Sequence, residues 1–444
     1  MIAGERSGVG KSTLTIGIMS ALASRGLAVQ PFKSGPDFLD PMHHRAATGR
    51  ASRNLDTWMF PAYVLESFGR ASNGADVSVI EGGMGLYDGF SGSSEEGSAA
   101  HLSKVLGCPV VLVIDAAASA RSAGAVALGF KHYDEDVKIA GVVFNNVAGE
   151  KHRRSLEASL KGIECLGGIP RLPPIELPER HLGLVPAEES GDGDRIGEIQ
   201  HVVEENVNVE RILEIARSAP PLPPIERRIV SSRQRCVIAV ARDPAFNFYY
   251  EDNFDILWNL GASLMFFSPL RDDLPIADGY YFGGGYPEVF AEGLAANARM
   301  KDHLRREAGR GAPVYAECGG LMYLCSSVTD LNGGRHRMCG VFEAEAEMMP
   351  KLQAVSYVEV RAVRDNLLAK SGWGTRGHVF HFSRIVDVRE PTYSYELKGG
   401  AGIEGAKDGL VVNGTLASYT HLHFGSCPDF ARRFVDACAD RAGK

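Results

Sequence analysis

Nowhere does this sequence run apolar for the roughly twenty residues that a bilayer crossing needs, and its N-terminus shows no apolar core followed by a small-residue cleavage site. Membrane insertion and secretion are set aside on that ground, and a cytoplasmic protein is expected. Blocks of lysine and arginine are missing too. The 47 basic residues face 55 acidic ones, a net charge of -8, which argues against nucleic acid as a partner. Eight cysteines (Cys108, Cys165, Cys236, Cys318, Cys325, Cys339, Cys427, Cys438) are scattered without a C-x-x-C pair, which argues against a zinc site or a disulfide scaffold. Most are expected to be small buried apolar side chains. There is no internal repeat and no long low-complexity tract.

What is present is ordinary globular material, 45% hydrophobic and 23% charged, and 444 residues suffice for two or three domains. Prolines and charges cluster between Ser218 and Arg235, so a linker is expected at 218–235, with domains at 1–217 and 236–444. On each side short apolar strands alternate with helical stretches: Val77–Ile80, Val110–Ile114 and Ile139–Phe144, then Val237–Val240, Tyr280–Phe282 and Val314–Ala316. Such alternation predicts an α/β protein of two domains, each a mostly parallel sheet with helices on both faces.

The first candidate site is a phosphate loop, Gly4-Glu5-Arg6-Ser7-Gly8-Val9-Gly10-Lys11-Ser12-Thr13. Glycines such as Gly8 and Gly10 let backbone N–H groups turn toward an anion, Lys11 can reach the β/γ-phosphates, and the Ser12 hydroxyl suits Mg²⁺. The strict spacing would put glycine at position 5; here it stands at Gly4, so the loop carries one extra spacer. A helix is predicted over Thr13–Arg25, its N-terminal dipole facing the phosphates. Only Met1, Ile2 and Ala3 precede the loop, so either its feeding strand is short or the reading frame begins further upstream.

Acidic residues gather in loops after the strands. Lys33-Ser34-Gly35-Pro36-Asp37-Phe38-Leu39-Asp40 and Glu81-Gly82-Gly83-Met84-Gly85-Leu86-Tyr87-Asp88-Gly89 place Asp37, Asp40, Glu81 and Asp88 where ligands bind in open α/β sheets. Glu81 directly follows a strand, from which it could hold Mg²⁺ opposite Ser12. Each aspartate taken alone reads more simply as a turn residue bonding its own backbone. Four carboxylates around one phosphate loop favour a site.

The second candidate site centres on Cys318. Pro313-Val314-Tyr315-Ala316-Glu317-Cys318-Gly319-Gly320 reads as strand, sharp turn and helix, which exposes a thiol at a helix N-terminus and favours the reactive thiolate. Gly319, with Gly284 and Gly285 after the strand Tyr280–Phe282, could supply backbone N–H groups to an oxyanion. A base is expected from Ser418-Tyr419-Thr420-His421-Leu422-His423-Phe424.

With those motifs, and with Ser52-Arg53-Asn54-Leu55-Asp56, Pro178-Glu179-Arg180-His181-Leu182-Gly183-Leu184 and Gly284-Gly285-Tyr286-Pro287-Glu288, the chain resembles the cobyrinate a,c-diamide synthase family. It resembles equally the close relative that acts on nickel-sirohydrochlorin in coenzyme F430 biosynthesis. The resemblance implies a dethiobiotin-synthetase-like domain, whose loop has the extra spacer, joined to a class I glutamine amidotransferase domain. It implies ATP with Mg²⁺ as cofactors, glutamine or ammonia as nitrogen donor, and amidation of the a and c acetates of a metallated tetrapyrrole polycarboxylate, cobalt or nickel. Cys318 is then the glutaminase nucleophile and His421 its base. Class I enzymes carry a carboxylate two positions after that histidine; here stands His423, so a dyad or an orienting group from elsewhere is expected rather than a complete triad, and His423 either orients the pair or packs elsewhere. Phe38 replaces a tyrosine common in relatives, and Val379 a common glutamate. Self-association into a homodimer is left open.

The implied chemistry is coherent. A carboxylate accepts ammonia only after activation, and phosphorylation by ATP yields an acyl phosphate with a good leaving group. Ammonia is largely protonated in bulk water, so a sheltered path between the domains is expected. Competing readings are an amidotransferase acting on other corrinoid carboxylates or on a cell-wall lipid, and a partitioning-type P-loop ATPase. The Cys318 elbow disfavours the last.

Overall fold

The computed structural model describes residues 1–171, 179–180, 183–184, 193–222 and 234–443. Most of the expected linker 218–235 and part of the Pro178–Leu184 motif lie outside those residues. The chain forms two compact units, Met1–Glu226 and Arg227–Lys444.

In the first unit the strands are β1 (Ile2–Gly4), β2 (Val29–Ser34), β3 (Arg53–Leu55), β4 (Val77–Glu81), β5 (Val110–Asp115), β6 (Ile139–Val147) and β7 (Cys165–Pro170). Among the described residues they form one sheet in the order β3-β2-β4-β1-β5-β6-β7, with every pairing parallel. Successive residues of a strand serve opposite faces. Ile2, Val111, Val113 and Val143 enter one apolar layer, whereas Ala3, Val110, Leu112, Ile114, Val142 and Phe144 enter another. The sheet is thus buried on both sides, as uninterrupted apolar strands require. β1 is only three residues long, yet it lies at the centre between β4 and β5. The helix after the loop spans Lys11–Ser24, beginning two residues before the predicted start because Gly10, at φ +89°, is its cap. A two-stranded antiparallel ladder joins β8 (Glu179–Arg180) to β9 (Gly183–Leu184).

The second unit holds β10 (Cys236–Ala241), β11 (Ala262–Phe267), β12 (Gly279–Phe282), β13 (Val314–Glu317), β14 (Ser327–Thr329), β15 (Arg335–Arg337) and β16 (Glu345–Met348). It continues with β17 (Ala354–Ala362), β18 (Gly374–His381), β19 (Ser383–Val386), β20 (Tyr393–Lys398), β21 (Lys407–Val412), β22 (Thr415–Ser418) and β23 (His421–Leu422). Ten of these make a sheet ordered β11-β10-β12-β13-β22-β21-β20-β17-β18-β23. From β11 to β22 every pairing is parallel, the arrangement expected for the α/β half. From β22 to β23 every pairing is antiparallel. That extension escapes a reading keyed to apolar runs, because β17 reads Ala-Val-Ser-Tyr-Val-Glu-Val-Arg-Ala, alternating as a strand with one buried face does. A small sheet, β15-β14-β16-β19, stands apart. Among the described residues no helix is long and apolar enough to cross a membrane.

Candidate active site

In the first unit the carboxyl ends of the strands bring the predicted residues together. Gly8 and Gly10 both have positive φ, and a Cβ on Gly10 would come within 2.3 Å of the Asn145 amide, so only glycine fits there. Asn145, at the end of β6, braces the loop by donating to Val9 O at 2.9 Å. Lys11 is buried and donates to Arg6 O at 3.1 Å; burial first, and then Lys33, hold its ammonium below the usual lysine range. Ser12 Oγ donates to Glu81 Oε1 at 2.7 Å, with Thr13 half-buried beside it.

Glu81 ends β4 and is 0% exposed. Lys33, its register partner on β2, donates to Oε1 at 2.8 Å and also to Asp40, with Asp37 at 3.8 Å. His44 Nε2 donates to Glu81 Oε2 at 2.7 Å while its Nδ1 meets the Ser52 hydroxyl at 3.1 Å. Burial pushes both carboxyls up, but Lys33 and His44 hold Glu81 well below the usual range, whereas Asp37 and Glu81 add to burial in raising Asp40 well above it. Glu81 is the partner that stays charged. Asp40 is poised to take a proton.

Asp37, just ahead of the helix Leu39–Thr48 and its cap residue Phe38, accepts from the N–H groups of Leu39 (2.8 Å) and Asp40 (3.1 Å), so it is at once a turn residue and part of the cluster. Phe38 and Leu39 stand half-buried at the head of that helix. Asp88 is exposed and accepts from Gly85 N at 3.0 Å, while Leu86 N donates to Gly4 O at 2.8 Å, binding this loop to the start of the phosphate loop. Lys33, His44 and Asn145 were not singled out from sequence. The spacing of Lys33 to Asp37 and Asp40 was the available signal for the first of them.

In the second unit Cys318 follows β13 with φ 47° and ψ -99°, a strained backbone for any residue but glycine. Its N–H donates to Ser418 O at 2.7 Å, and the helix Gly319–Leu324 starts immediately after it. A Cβ on Gly319 would lie 3.0 Å from Gly285 N, so these two backbones meet; one on Gly284 would lie 2.6 Å from the His421 ring. The candidate oxyanion glycines therefore converge on nucleophile and base. His421 is buried and hydrogen-bonded to Cys318. Burial depresses its imidazolium, but Cys318 and then Glu317 outweigh it, raising the pKa to about 9.

Two neighbours of His421, Glu317 and His378, and two residues that flank them and the thiol, Tyr250 and Phe380, went unnoticed in the sequence. Glu317 Oε2 lies 3.6 Å from His421 Nδ1. His378 of β18 stacks on His421 with ring centroids 4.9 Å apart, and Tyr250 OH meets its Nδ1 at 3.0 Å. Phe380 O accepts from the Cys318 thiol at 3.7 Å. The segment around Val379 thus flanks the thiol, and Val379 itself is wholly buried in β18, where a glutamate would have to be buried too. β23 ends at Leu422, so His423 lies on different ground: its Nε2 is 3.6 Å from Asp252 Oδ2, its Nδ1 accepts from Gly425 N at 3.0 Å, and its ring packs on Tyr250.

A phosphate loop on one parallel sheet and a strained thiol beside a histidine on a second sheet are the features of a chain that joins a nucleotide-binding unit to a glutamine amidotransferase unit. Residues 1–185 match the family described as CobQ/CobB/MinD/ParA nucleotide binding domain, and residues 237–428 that described as CobB/CobQ-like glutamine amidotransferase domain. The cobyrinate a,c-diamide synthase of Methanothermobacter thermautotrophicus is 43% identical over 448 residues, spanning 98% of each chain. That of Archaeoglobus fulgidus is 43% identical, covering 98% of this chain and 96% of the relative. A solved glutamine amidotransferase from Thermotoga maritima aligns with 47% of this chain and 83% of its own, at 14% identity and a TM-score of 0.31. The chain belongs to the cobyrinate a,c-diamide synthase family, and it is a ligase of the glutamine amidotransferase type.

Proposed function

We propose that this enzyme amidates the a and c acetate carboxylates of a metallated tetrapyrrole, using ATP and glutamine and passing through acyl phosphates. The observation that carries the reading is the presence in one chain of Lys11 beside the Ser12–Glu81 pair and of Cys318 beside His421. The first set suits phosphoryl transfer, which needs positioning and charge stabilisation. The second suits attack of a thiol on the glutamine amide, a thioester, and release of ammonia.

Ser12 Oγ and Glu81 Oε1 are adjacent oxygen donors of the kind Mg²⁺ takes, and the ion commonly binds through one or two such groups plus phosphates. They would hold it where it offsets phosphoryl charge. Lys33 keeps Glu81 anionic for that purpose, and Lys11 would meet the phosphates from the loop. Full-length likeness to cobyrinate a,c-diamide synthases favours a cobalt-containing acceptor in cobalamin biosynthesis over the nickel macrocycle of coenzyme F430 biosynthesis. Purified protein supplied with cobyrinate, Co-sirohydrochlorin or Ni-sirohydrochlorin should form diamide, read by mass spectrometry, only with ATP and a nitrogen donor, releasing ADP in step. Failure of all three acceptors to yield amide or ADP would discard the reading.

A further inference from the structure

We infer that Glu317 is the positioning group for His421, taking the part that class I enzymes give to a carboxylate two residues beyond the histidine. This rests on the glutaminase reading of the second unit. Glu317 is the last residue of β13, is 1% exposed, and is locked by pairing with Ser418 of β22. A carboxylate buried that deeply is costly unless every lone pair is met. Tyr315 OH donates to Oε1 at 2.5 Å, Leu422 N to Oε1 at 3.0 Å, and Tyr281 OH to Oε2 at 3.3 Å. The remaining neighbour is His421 Nδ1, 3.6 Å from Oε2. That is ion-pair range just beyond a hydrogen bond, and such contacts are often long before substrate binds.

The consequence is directional. With Nδ1 turned to Glu317, the imidazole has Nε2 left for the sulfur, the arrangement a general base needs. Because Glu317 and Cys318 are consecutive, one rigid turn fixes both the anchor and the nucleophile. The Leu422 bond ties the residue after the base to the same carboxylate. His423 cannot do this work from its place against Asp252 and Tyr250. Other titratable groups face His421 from neighbouring strands. Burial keeps His378 and His381 of β18 neutral, as it does Tyr281 of β12 and Tyr315 of β13, and Asp408 of β21 spends its oxygens on Tyr419 and Thr420. Glu317 is therefore the carboxyl group that β13 brings within ion-pair range of the imidazole.

The test compares wild type, Glu317→Gln and Glu317→Asp in the full chain. Glutamate release is followed against pH with ATP and acceptor present, alongside ammonium-dependent synthesis and thermal melting. Glu317→Gln should lower glutaminase kcat about 100-fold, the scale of a misplaced reacting group, with KM for glutamine nearly unchanged. The limb of the profile set by His421 should move to lower pH by about one unit, because an opposite charge beside the imidazolium is gone. Glu317→Asp should keep the limb near wild type while kcat falls. A Glu317→Gln profile with the limb in place, or equal loss of ammonium-dependent synthesis, would show a packing role and overturn the inference. If wild type itself releases no glutamate, the glutaminase reading fails instead.

Discussion

Both units end a central parallel strand on a buried glutamate, Glu81 on β4 and Glu317 on β13, and surround the two in opposite ways. Glu81 is met by the Lys33 ammonium, the His44 ring and the Ser12 hydroxyl. Glu317 is met by two tyrosine hydroxyls, a backbone N–H and His421. A site for transferring a phosphoryl group must neutralise charge already on its substrate, so cations gather around its acid. A thiol site must govern one proton between sulfur and imidazole; there hydroxyl and backbone donors fix the carboxylate, and the single titrating partner it faces is the imidazole that handles that proton. A glutamate at the end of a parallel strand is thus given different neighbours in the two units, and under the proposed function those neighbours suit it to two chemistries.

If the two sites are separate machines, each should fail alone. Cys318→Ala should cut glutamine-dependent amidation by up to about 10⁶-fold, the scale of losing a nucleophile, while synthesis from ammonium continues. Parallel assays with the two nitrogen donors decide it, and equal loss with both would merge the sites the comparison separates. His421→Ala should suppress glutaminase turnover by roughly two to four orders of magnitude, again sparing ammonium-dependent synthesis. Its pKa is raised from 6.5 to about 9, so its contacts stabilise the fold fully below pH 6.5 and are lost as pH rises through about 9. The gap in melting temperature between wild type and His421→Ala should therefore narrow across that range.

Lys11→Ala tests the other side. It should lower synthesis by roughly two to three orders of magnitude with either donor, the usual loss for one transition-state contact. ADP release in the presence of acceptor measures it. Near-normal ammonium-dependent synthesis from a folded variant would remove Lys11 from the phosphoryl site.

Legibility in the sequence followed the same division. The phosphate loop, Glu81 and the acidic loops were readable because glycines with positive φ and carboxylates after apolar strands leave local marks, as at Gly8 and Gly10. The Cys318 elbow was readable because an apolar strand runs into Cys318-Gly319-Gly320 and then a helix. Lys33 and His44 were not, since their meaning depends on β2 lying beside β4 with Lys33 opposite Glu81. Glu317 was hidden in plain view: it reads as the end of an apolar strand, and although an orienting group from elsewhere was expected beside the His423 option, nothing local named it. His378 needed the antiparallel pairing of β18 with β23, which opposes His378 and His421 and which no local pattern announces.

The smallest effect expected sharpens the comparison most. His423 is buried beside His421 in sequence, yet its ring nitrogens meet Asp252 and Gly425 N and its ring packs on Tyr250, the residue that also bonds His378. Its link to the thiol thus runs through Tyr250 and His378, two contacts removed from His421. His423→Ala should slow glutaminase turnover by less than about tenfold, well under the loss for a positioned acid or base, and should leave the pH profile in place. Its cost should fall on stability instead, by about 1–3 kcal/mol, because Asp252 and Gly425 N lose a buried partner. Measuring kcat against pH together with chemical denaturation separates the two. A shifted pH profile for His423→Ala, with none for Glu317→Gln, would move the orienting role from β13 to the segment after β23.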